Sequence, residues 1–329
     1  MSECEAKSEA VGTAMPAATC VIFNPAAGRG KAERWLQQAR HTLGEDIELR
    51  PTSRAGHARE LAREASEQGF AKVVAAGGDG TVHEVANGVL QSGRRDVVFS
   101  TWPIGSANDY AYTLGMQHWW NRSRRGEHLP TETLEVDVGF VASPGREVYY
   151  VNALGVGFNG MVTLEARNIR WLTGMPLYAW AFLKAMVKHF DTPTMQVQFD
   201  DICIAGPTLA LTINLAQREG GFPITPQASL TDGLFDYLHA TRLRRWHLIR
   251  YLPALARGAL PMGHPLLHRG RARRIEVKSE VPLCVHADGE FFCRPEDGVL
   301  GLVVEVVPKR LTVEICPAGL YGGRARDQL

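Results

Sequence analysis

No two of the six cysteines, Cys4, Cys20, Cys203, Cys284, Cys293 and Cys316, stand at the C-x-x-C spacing of a zinc site or redox pair. A disulfide framework is equally unsupported, so reduced cytoplasmic thiols are expected. An excess of charge of either sign is missing too. Lys+Arg 36 stand against Asp+Glu 35, which leaves no bulk attraction for nucleic acid. No apolar run is long enough and free enough of charge to span a bilayer. The nearest candidate, Trp171 to Phe190, contains Gly174, Pro176, Lys184, Lys188 and His189. Residues 1–18 carry Glu3, Glu5 and Glu9 without an apolar core, so they read as a disordered tail and not as a signal peptide. What remains is ordinary for a globular chain, with 45% hydrophobic and 22% charged residues. At 329 residues it can build two domains with cores of their own.

The most informative stretch is Gly77-Gly78-Asp79-Gly80-Thr81. It follows the apolar run Val73-Val74-Ala75-Ala76 and precedes a helical pattern over 82–90. Strand, glycine turn and helix in that order present bare backbone N–H groups and a helix N-terminus to an anion. Asp79 is the odd member, because a carboxylate repels phosphate unless a cation bridges them. A Walker loop would end in Gly-Lys-Ser/Thr, which is absent. Two companions strengthen the signal. Upstream, Cys20-Val21-Ile22-Phe23 runs into Asn24-Pro25-Ala26-Ala27-Gly28-Arg29-Gly30-Lys31, before a helix patterned on Ala32, Trp35, Leu36 and Ala39. Downstream, Val97-Val98-Phe99 leads to Pro103-Ile104-Gly105-Ser106-Ala107-Asn108-Asp109. Three polar glycine turns after three strands would share the carboxyl edge of a parallel sheet, where ligands bind in open α/β folds.

The first half therefore reads as a parallel, doubly wound α/β layer, with a helix over 57–67. Gln117 to Thr131, carrying Arg122, Arg124 and Arg125, reads as an exposed insertion. From Leu134 the pattern turns to hairpins, with turns at Ser143-Pro144-Gly145 and Asp200-Asp201. Short strands recur at 209–215, 275–277, 283–285 and 302–306, with one helix over 243–257. This half reads as an antiparallel β-sandwich or barrel-like domain. The expected division is a tail at 1–18, a nucleotide domain at 19–132, a β-rich domain at 133–316 and a terminal segment at 317–329.

Asn-Pro-x-x-Gly, Gly-Gly-Asp-Gly-Thr and Pro-x-Gly-[Thr/Ser]-x-Asn-Asp-x-Ala, in this order, resemble the diacylglycerol kinase catalytic-domain family. That family includes bacterial lipid kinases and sphingosine kinases. The resemblance continues through Asn152-Ala153-Leu154-Gly155-Val156-Gly157, Thr231-Asp232-Gly233-Leu234-Phe235-Asp236 and Asp288-Gly289-Glu290. It covers residues 19 to 318. Ser106 replaces the usual Thr and keeps the hydroxyl. His83 stands where many bacterial members have Asn.

The resemblance implies an ATP- and Mg2+-dependent kinase acting on a lipid hydroxyl, with a phosphofructokinase/NAD kinase-like first domain and a C-terminal segment returning to it. Family nucleotide contacts fall on Asn24, Pro25, Ala26, Ala27, Gly28, Thr52, Gly77, Gly78, Asp79, Gly80, Thr81, Val82, His83 and Ser106. Catalytic carboxylates are implied at Glu290, Asp79 and Asp288. Glu290 matches the proton acceptor of the bacterial members, whereas sphingosine kinases give that role to the position of Asp79. Asp79 otherwise orients a metal or the acceptor. Ser229, Asp232 and the carbonyl of Leu234 match a magnesium site, and oxygen-only ligands suit that ion. A soluble-metabolite kinase of the NAD kinase or phosphofructokinase type shares Gly-Gly-Asp-Gly, but the Pro-Ile-Gly-Ser-Ala-Asn-Asp segment and the β-rich half argue against it. A non-catalytic lipid- or nucleotide-binding protein finds no support, since every proposed carboxylate is present.

A lipid substrate makes peripheral membrane contact an expectation. Arg242, Arg244 and Arg245, and the run Arg269, Arg271, Arg273 and Arg274, are two basic clusters suited to an anionic surface, or simply solvated faces. The 171–190 segment is amphipathic. It could pack on the core, wall a lipid pocket or touch bilayer.

Overall fold

A computed structural model describes residues 19–30, 32–43, 47–105, 107–169, 171–172, 174–261 and 263–320. The expected tail, Lys31, Ser106 and the segment beyond residue 320 lie outside the described residues.

Four apolar runs form the strands β1 (Thr19–Phe23), β2 (Ile47–Pro51), β3 (Lys72–Gly77) and β4 (Val98–Pro103). They pair in parallel in the order β2-β1-β3-β4. Between them run α1 (Ala27–Gly30), α2 (Ala32–Leu43), α3 (His57–Glu67) and α4 (Asp79–Gln91). On α3, Ala58, Ala62 and Ala65 face inward, as their spacing predicts. Strand order reverses between β1 and β3, so the loops after these strands open a crevice at the carboxyl edge.

Two short helices follow, α5 (Asp109–Thr113) and α6 (Met116–Ser123). The exposed insertion expected over 117–131 is therefore corrected in its first half. Trp119 and Trp120 are buried, with ring centroids 6.1 and 5.5 Å from that of Trp102 on β4. Polar neighbours hid two large aromatic anchors. Arg124 and Arg125 do lie exposed beyond the helix.

The second half is built from β5 (Glu132–Ser143), β6 (Arg146–Tyr150), β7 (Ala153–Gly157), α7 (Phe158–Arg167), α8 (Met175–Lys188), β8 (Thr194–Phe199), β9 (Ile202–Asn214), β10 (Phe235–Thr241), α9 (Arg245–Leu255), β11 (Leu267–Ala272), β12 (Arg274–Ser279), β13 (Val285–Ala287), β14 (Glu290–Cys293) and β15 (Gly301–Ile315). Pairing among β5 to β14 is antiparallel. The separate strand expected at 209–215 is instead the second part of β9. Its first part, through Pro207, pairs with β8. Its later residues pair with β7 and β10. Gly206-Pro207 marks that change of partner and not a break.

The final strand joins the two halves. Gly301–Glu305 of β15 pairs with β12, and Thr312–Val313 runs parallel to β4. Return to the first sheet is thus made before Pro317. Beyond the strand, the Cys316 N–H donates to the Leu114 carbonyl at 3.0 Å, which holds the terminal turn against the end of α5. One buried apolar cluster runs through both halves. A second one packs α7, α8 and the segment before α9 against β9 and β11.

Candidate active site at two glycine turns

The crevice at the carboxyl edge is a polar cleft. Asn24, Pro25, Ala26, Thr52, Gly78, Gly80, Thr81, Glu84 and Glu290 line it. Asn24 accepts the Ala26 N–H on its side-chain oxygen at 2.9 Å, which folds the first loop into a tight turn. The Thr52 N–H donates to the Phe23 carbonyl at 2.8 Å and ties the second loop to the first. Gly77 gives its carbonyl to the N–H groups of Ile104 and Gly105, each at 3.0 Å. These two turns touch backbone to backbone: a Cβ on Gly105 would stand 2.2 Å from the Gly78 Cα. Helix α4 starts at Gly78 without a side-chain cap. Uncapped N–H groups in a polar cleft are what a phosphate chain requires, so these residues fit a nucleotide.

Not every expected nucleotide contact faces this cleft. Gly77 and Val82 are buried. His83 is buried and points away, with Nδ1 3.0 Å from the Asp288 carboxylate. Ala27 and Gly28 sit on α1 and do not line the cleft. Ser53, Arg54, Ala55, Ala58 and Glu84 do line it, and sequence reasoning missed them. Glu84 accepts the N–H groups of Gly56 and Ala58 at 2.8 and 3.0 Å, at the start of α3. The signal was available in its place one turn into α4.

Behind the same turns lies a cavity with apolar walls and a polar floor. Phe158 and Val162 of α7, Tyr178 and Phe182 of α8, and Leu252 and Leu255 of α9 are wall residues. Its floor carries Asp79, Asp109, Asn152, Glu219, His286 and Asp288. Asp79 reaches across to α5, where its carboxylate accepts the Asn108 and Asp109 N–H groups at 3.0 and 2.8 Å. Asp109 in turn accepts the Gly221 N–H at 3.1 Å and has Arg218 at 3.7 Å. Burial and the neighbouring Asp79 charge push Asp109 up to about 7. Asp79 is likewise raised, chiefly because its carboxyl end is withdrawn from water.

The Asp288-Gly289-Glu290 turn divides its two carboxylates. Asp288 is buried in a left-handed conformation, φ 52°. It accepts the N–H groups of Val151, Asn152 and Ala153 at 3.0, 2.8 and 3.1 Å, in addition to the His83 contact. Glu290 is 41% exposed, pairs with Arg167 at 2.5 Å and lies over Gly80 of the other turn. The floor's other dyad, Glu219 and His286 at 3.0 Å, had no signature in the sequence.

The implied magnesium residues, Ser229, Asp232 and Leu234, lie on the loop just before β10. Asp232 accepts the Leu234 N–H at 3.1 Å and faces Arg271 at 3.6 Å. The Ser229 hydroxyl accepts the Thr231 N–H. Among the described residues no group of three or more His, Cys, Asp or Glu could hold a metal ion.

Residues 18–141 match the model of the diacylglycerol kinase catalytic domain. Residues 152–315 match that of the YegS C-terminal NAD kinase beta sandwich-like domain. The chain is 32% identical over 256 residues to a Chromohalobacter salexigens protein named "Probable lipid kinase YegS-like", covering 75% of this chain and 78% of that one. It is 26% identical over 278 residues to a diacylglycerol kinase of Bacillus subtilis, covering 82% and 89%. A crystal structure of a diacylglycerol kinase from Bacillus anthracis superposes with a TM-score of 0.66 at 17% identity, covering 92% of this chain and 98% of that one. That likeness bears on the fold: an α/β nucleotide domain followed by a β-sandwich.

Proposed function

The chain belongs to the diacylglycerol kinase family, whose members phosphorylate an alcohol, and on that premise we propose that it transfers the γ-phosphate of ATP to the hydroxyl of a lipid held in the apolar cavity. One observation carries this reading. Cleft and cavity meet at both turns. Gly78 and Gly80 line the cleft while Asp79, between them, lines the cavity. Gly289 lines the cavity while Glu290 lines the cleft. A phosphoryl group on one side and a hydroxyl on the other would be separated by one residue of backbone.

In this reading the loop at 24–28, Thr52 and the turn at 77–81 hold the nucleotide. ATP supplies the phosphoryl group, and the divalent ion that accompanies it, magnesium in this proposal, offsets phosphate charge. Glu290 takes the acceptor's proton, and the Arg167 contact at 2.5 Å aims it. Asp79 orients the acceptor from the cavity side. Asp288 positions the turn, with both its oxygens engaged by His83 and the N–H groups of Val151, Asn152 and Ala153. Labelled ATP incubated with a lipid extract tests the whole. Label in the organic phase is expected. Label only in a water-soluble product would favour a metabolite kinase, and no transfer a binding protein.

The lipid must leave a membrane. Among the described residues no helix is long and apolar enough to cross one. We propose peripheral docking through the outer faces of α8 and α9, whose other faces wall the cavity. Trp171 is 72% and Trp246 54% exposed, with Trp180, Val187 and Ile249 also outward. Arg244 and Arg245 sit beside them. The run at 269–274 contributes less, because Arg271 faces Asp232 and Arg274 pairs with Glu276 and Glu305.

A further inference from the structure

Asp288 and Gly289 form the two-residue loop between β13 and β14, where Ala287 pairs with Glu290. Their φ angles of 52° and 82° fit a type I′ turn. In such a turn the two central N–H groups lie outside the ladder and need other partners. The Asp288 N–H donates to the Ala153 carbonyl at 2.8 Å. The Gly289 N–H donates to Nδ1 of His286 at 3.3 Å. The Gly289 carbonyl accepts Arg167 at 3.2 Å, the guanidinium that also holds Glu290. Glycine is the residue least restricted in its backbone angles, so these contacts fix the joint that carries Glu290.

The histidine is itself held. Its Nδ1 accepts an N–H, which leaves the ring proton on Nε2, and Nε2 faces the Glu219 carboxylate at 3.0 Å. Asn159 and Thr212 donate to the two oxygens of that carboxylate, each at 3.4 Å. His286 is buried and lies opposite Gly155 of β7. A Cβ on Gly155 would stand 2.4 Å from Nε2, so β7 gives up a side chain to seat the imidazole. Glu219 belongs to a turn closed by two backbone bonds with Phe222, at 2.9 and 3.0 Å. The same turn sends the Gly221 N–H to the Asp109 carboxylate at 3.1 Å, and the Asp109 N–H meets Asp79 at 2.8 Å. The Asp79 turn and the Glu290 turn are thus tied to one frame across the cavity floor.

Resting on the kinase reading above, we propose that His286, oriented by Glu219, is a positioning residue: by gripping the Gly289 peptide it sets where the Glu290 carboxylate stands over Gly80. Each link depends on a particular atom. Nδ1 has to be the acceptor, and Glu219 selects that tautomer by taking the Nε2 proton in a hydrogen bond. A ring turned over would set an N–H against the Gly289 N–H, and the turn would tilt. Small tilts matter, because a displacement of about 1 Å at a reacting group costs about 10²-fold in rate. A merely structural role predicts a loss that adds to the loss of Glu290. Positioning through Glu290 predicts a loss that vanishes once Glu290 is gone.

A double-variant cycle with labelled ATP and a lipid extract tests this. His286→Gln can reach Glu219 but offers nothing at the place of Nδ1, whereas His286→Asn puts a carboxamide oxygen there. His286→Gln is expected to lower the transfer rate at saturating ATP about 10–100-fold, with the KM for ATP unchanged. His286→Asn should recover most of that loss. In a Glu290→Gln background His286→Gln should cost nothing further. An equal loss in both backgrounds, or equal impairment of the Asn and Gln variants, overturns the proposal. Should the His286 variants fail to fold, Glu219 gives the same reading. Glu219→Ala should lower the rate, and Glu219→Gln, which keeps an acceptor for Nε2, should recover it. Losses from Glu219→Ala that add to those of Glu290→Gln overturn the proposal and leave the kinase reading intact. No label in the organic phase with the native chain overturns the kinase reading, and the proposal falls with it.

Discussion

Asp288→Asn and Glu290→Gln should fail in opposite ways, though the residues share one turn. Asp288 accepts four hydrogen bonds, two on each oxygen. An amide replaces one oxygen with a donor, so two of the four are lost. Each bond to a charged group contributes about 1.5–3 kcal/mol, giving about 3–6 kcal/mol. Turning the new NH2 towards His83 would save one contact, so the lower end, about 3 kcal/mol, is expected. Asn tolerates the left-handed φ of 52°, so backbone strain adds nothing. Against a total of about 5–15 kcal/mol this is a large loss. At about 2–4 °C per kcal/mol, the melting temperature should fall by about 6–12 °C. Glu290 is 41% exposed, and its pair with Arg167 is a surface pair. Such pairs are worth about 0–1 kcal/mol, so Glu290→Gln should melt within about 4 °C of wild type. Its kcat should fall about 10²–10⁴-fold, the usual contribution of a positioned base. Calorimetry and steady-state kinetics on both variants decide. An Asp288→Asn protein with native melting and no turnover would refute the positioning role. Native turnover in Glu290→Gln would move the base to Asp79.

Three further outcomes are expected. Gly105→Ala places a Cβ 2.2 Å from the Gly78 Cα, so the turns must part; nucleotide affinity, read by calorimetric titration, should drop while lipid binding persists. Asp109 titrates at about 7 when folded, against an ordinary value near 4. The folded state therefore holds the extra proton, and this group's stabilisation is lost as pH rises from about 4 to about 7. Melting temperatures of Asp109→Asn should decline less than wild type across that window, and parallel curves would reject the shift. Trp180→Ala and Trp246→Ala should each lower co-sedimentation with vesicles, and anionic vesicles should hold the native protein better at low salt. The electrostatic part should fade as the Debye length shrinks from about 10 Å at 0.1 M to about 3 Å at 1 M. Unchanged sedimentation of both variants would place docking elsewhere.

Local chemistry was legible wherever neighbours in sequence decide the structure. The parallel strands, the helix over His57–Glu67, the hairpin turns and the Asp-Gly turn between β13 and β14 all follow from apolar runs and glycine punctuation. Trp119 and Trp120 were missed because their neighbours are polar, and burial against Trp102 depends on a strand 17 residues earlier. The cavity floor was illegible for the same reason on a larger scale. Glu219 meets His286 across 67 residues, and Asp109 meets Gly221 across 112. No spacing rule reaches so far.

Both motifs that did stand out carry a property that a linear reading cannot express. Asp79 follows Gly78 at the start of a helix, where successive side chains diverge by about 100°. Its carboxylate therefore leaves the cleft that its glycine neighbours line. Asp288 and Glu290 flank a glycine at a chain reversal, with φ of 52° and 82° at Asp288 and Gly289. One carboxylate turns inward to Val151–Ala153, and the other outward over Gly80. Each turn thus faces two compartments at single-residue spacing. In the proposed reading this keeps the Asp79 carboxylate off the nucleotide: Gly78 and Gly80 line the cleft, and Asp79 between them lines the cavity.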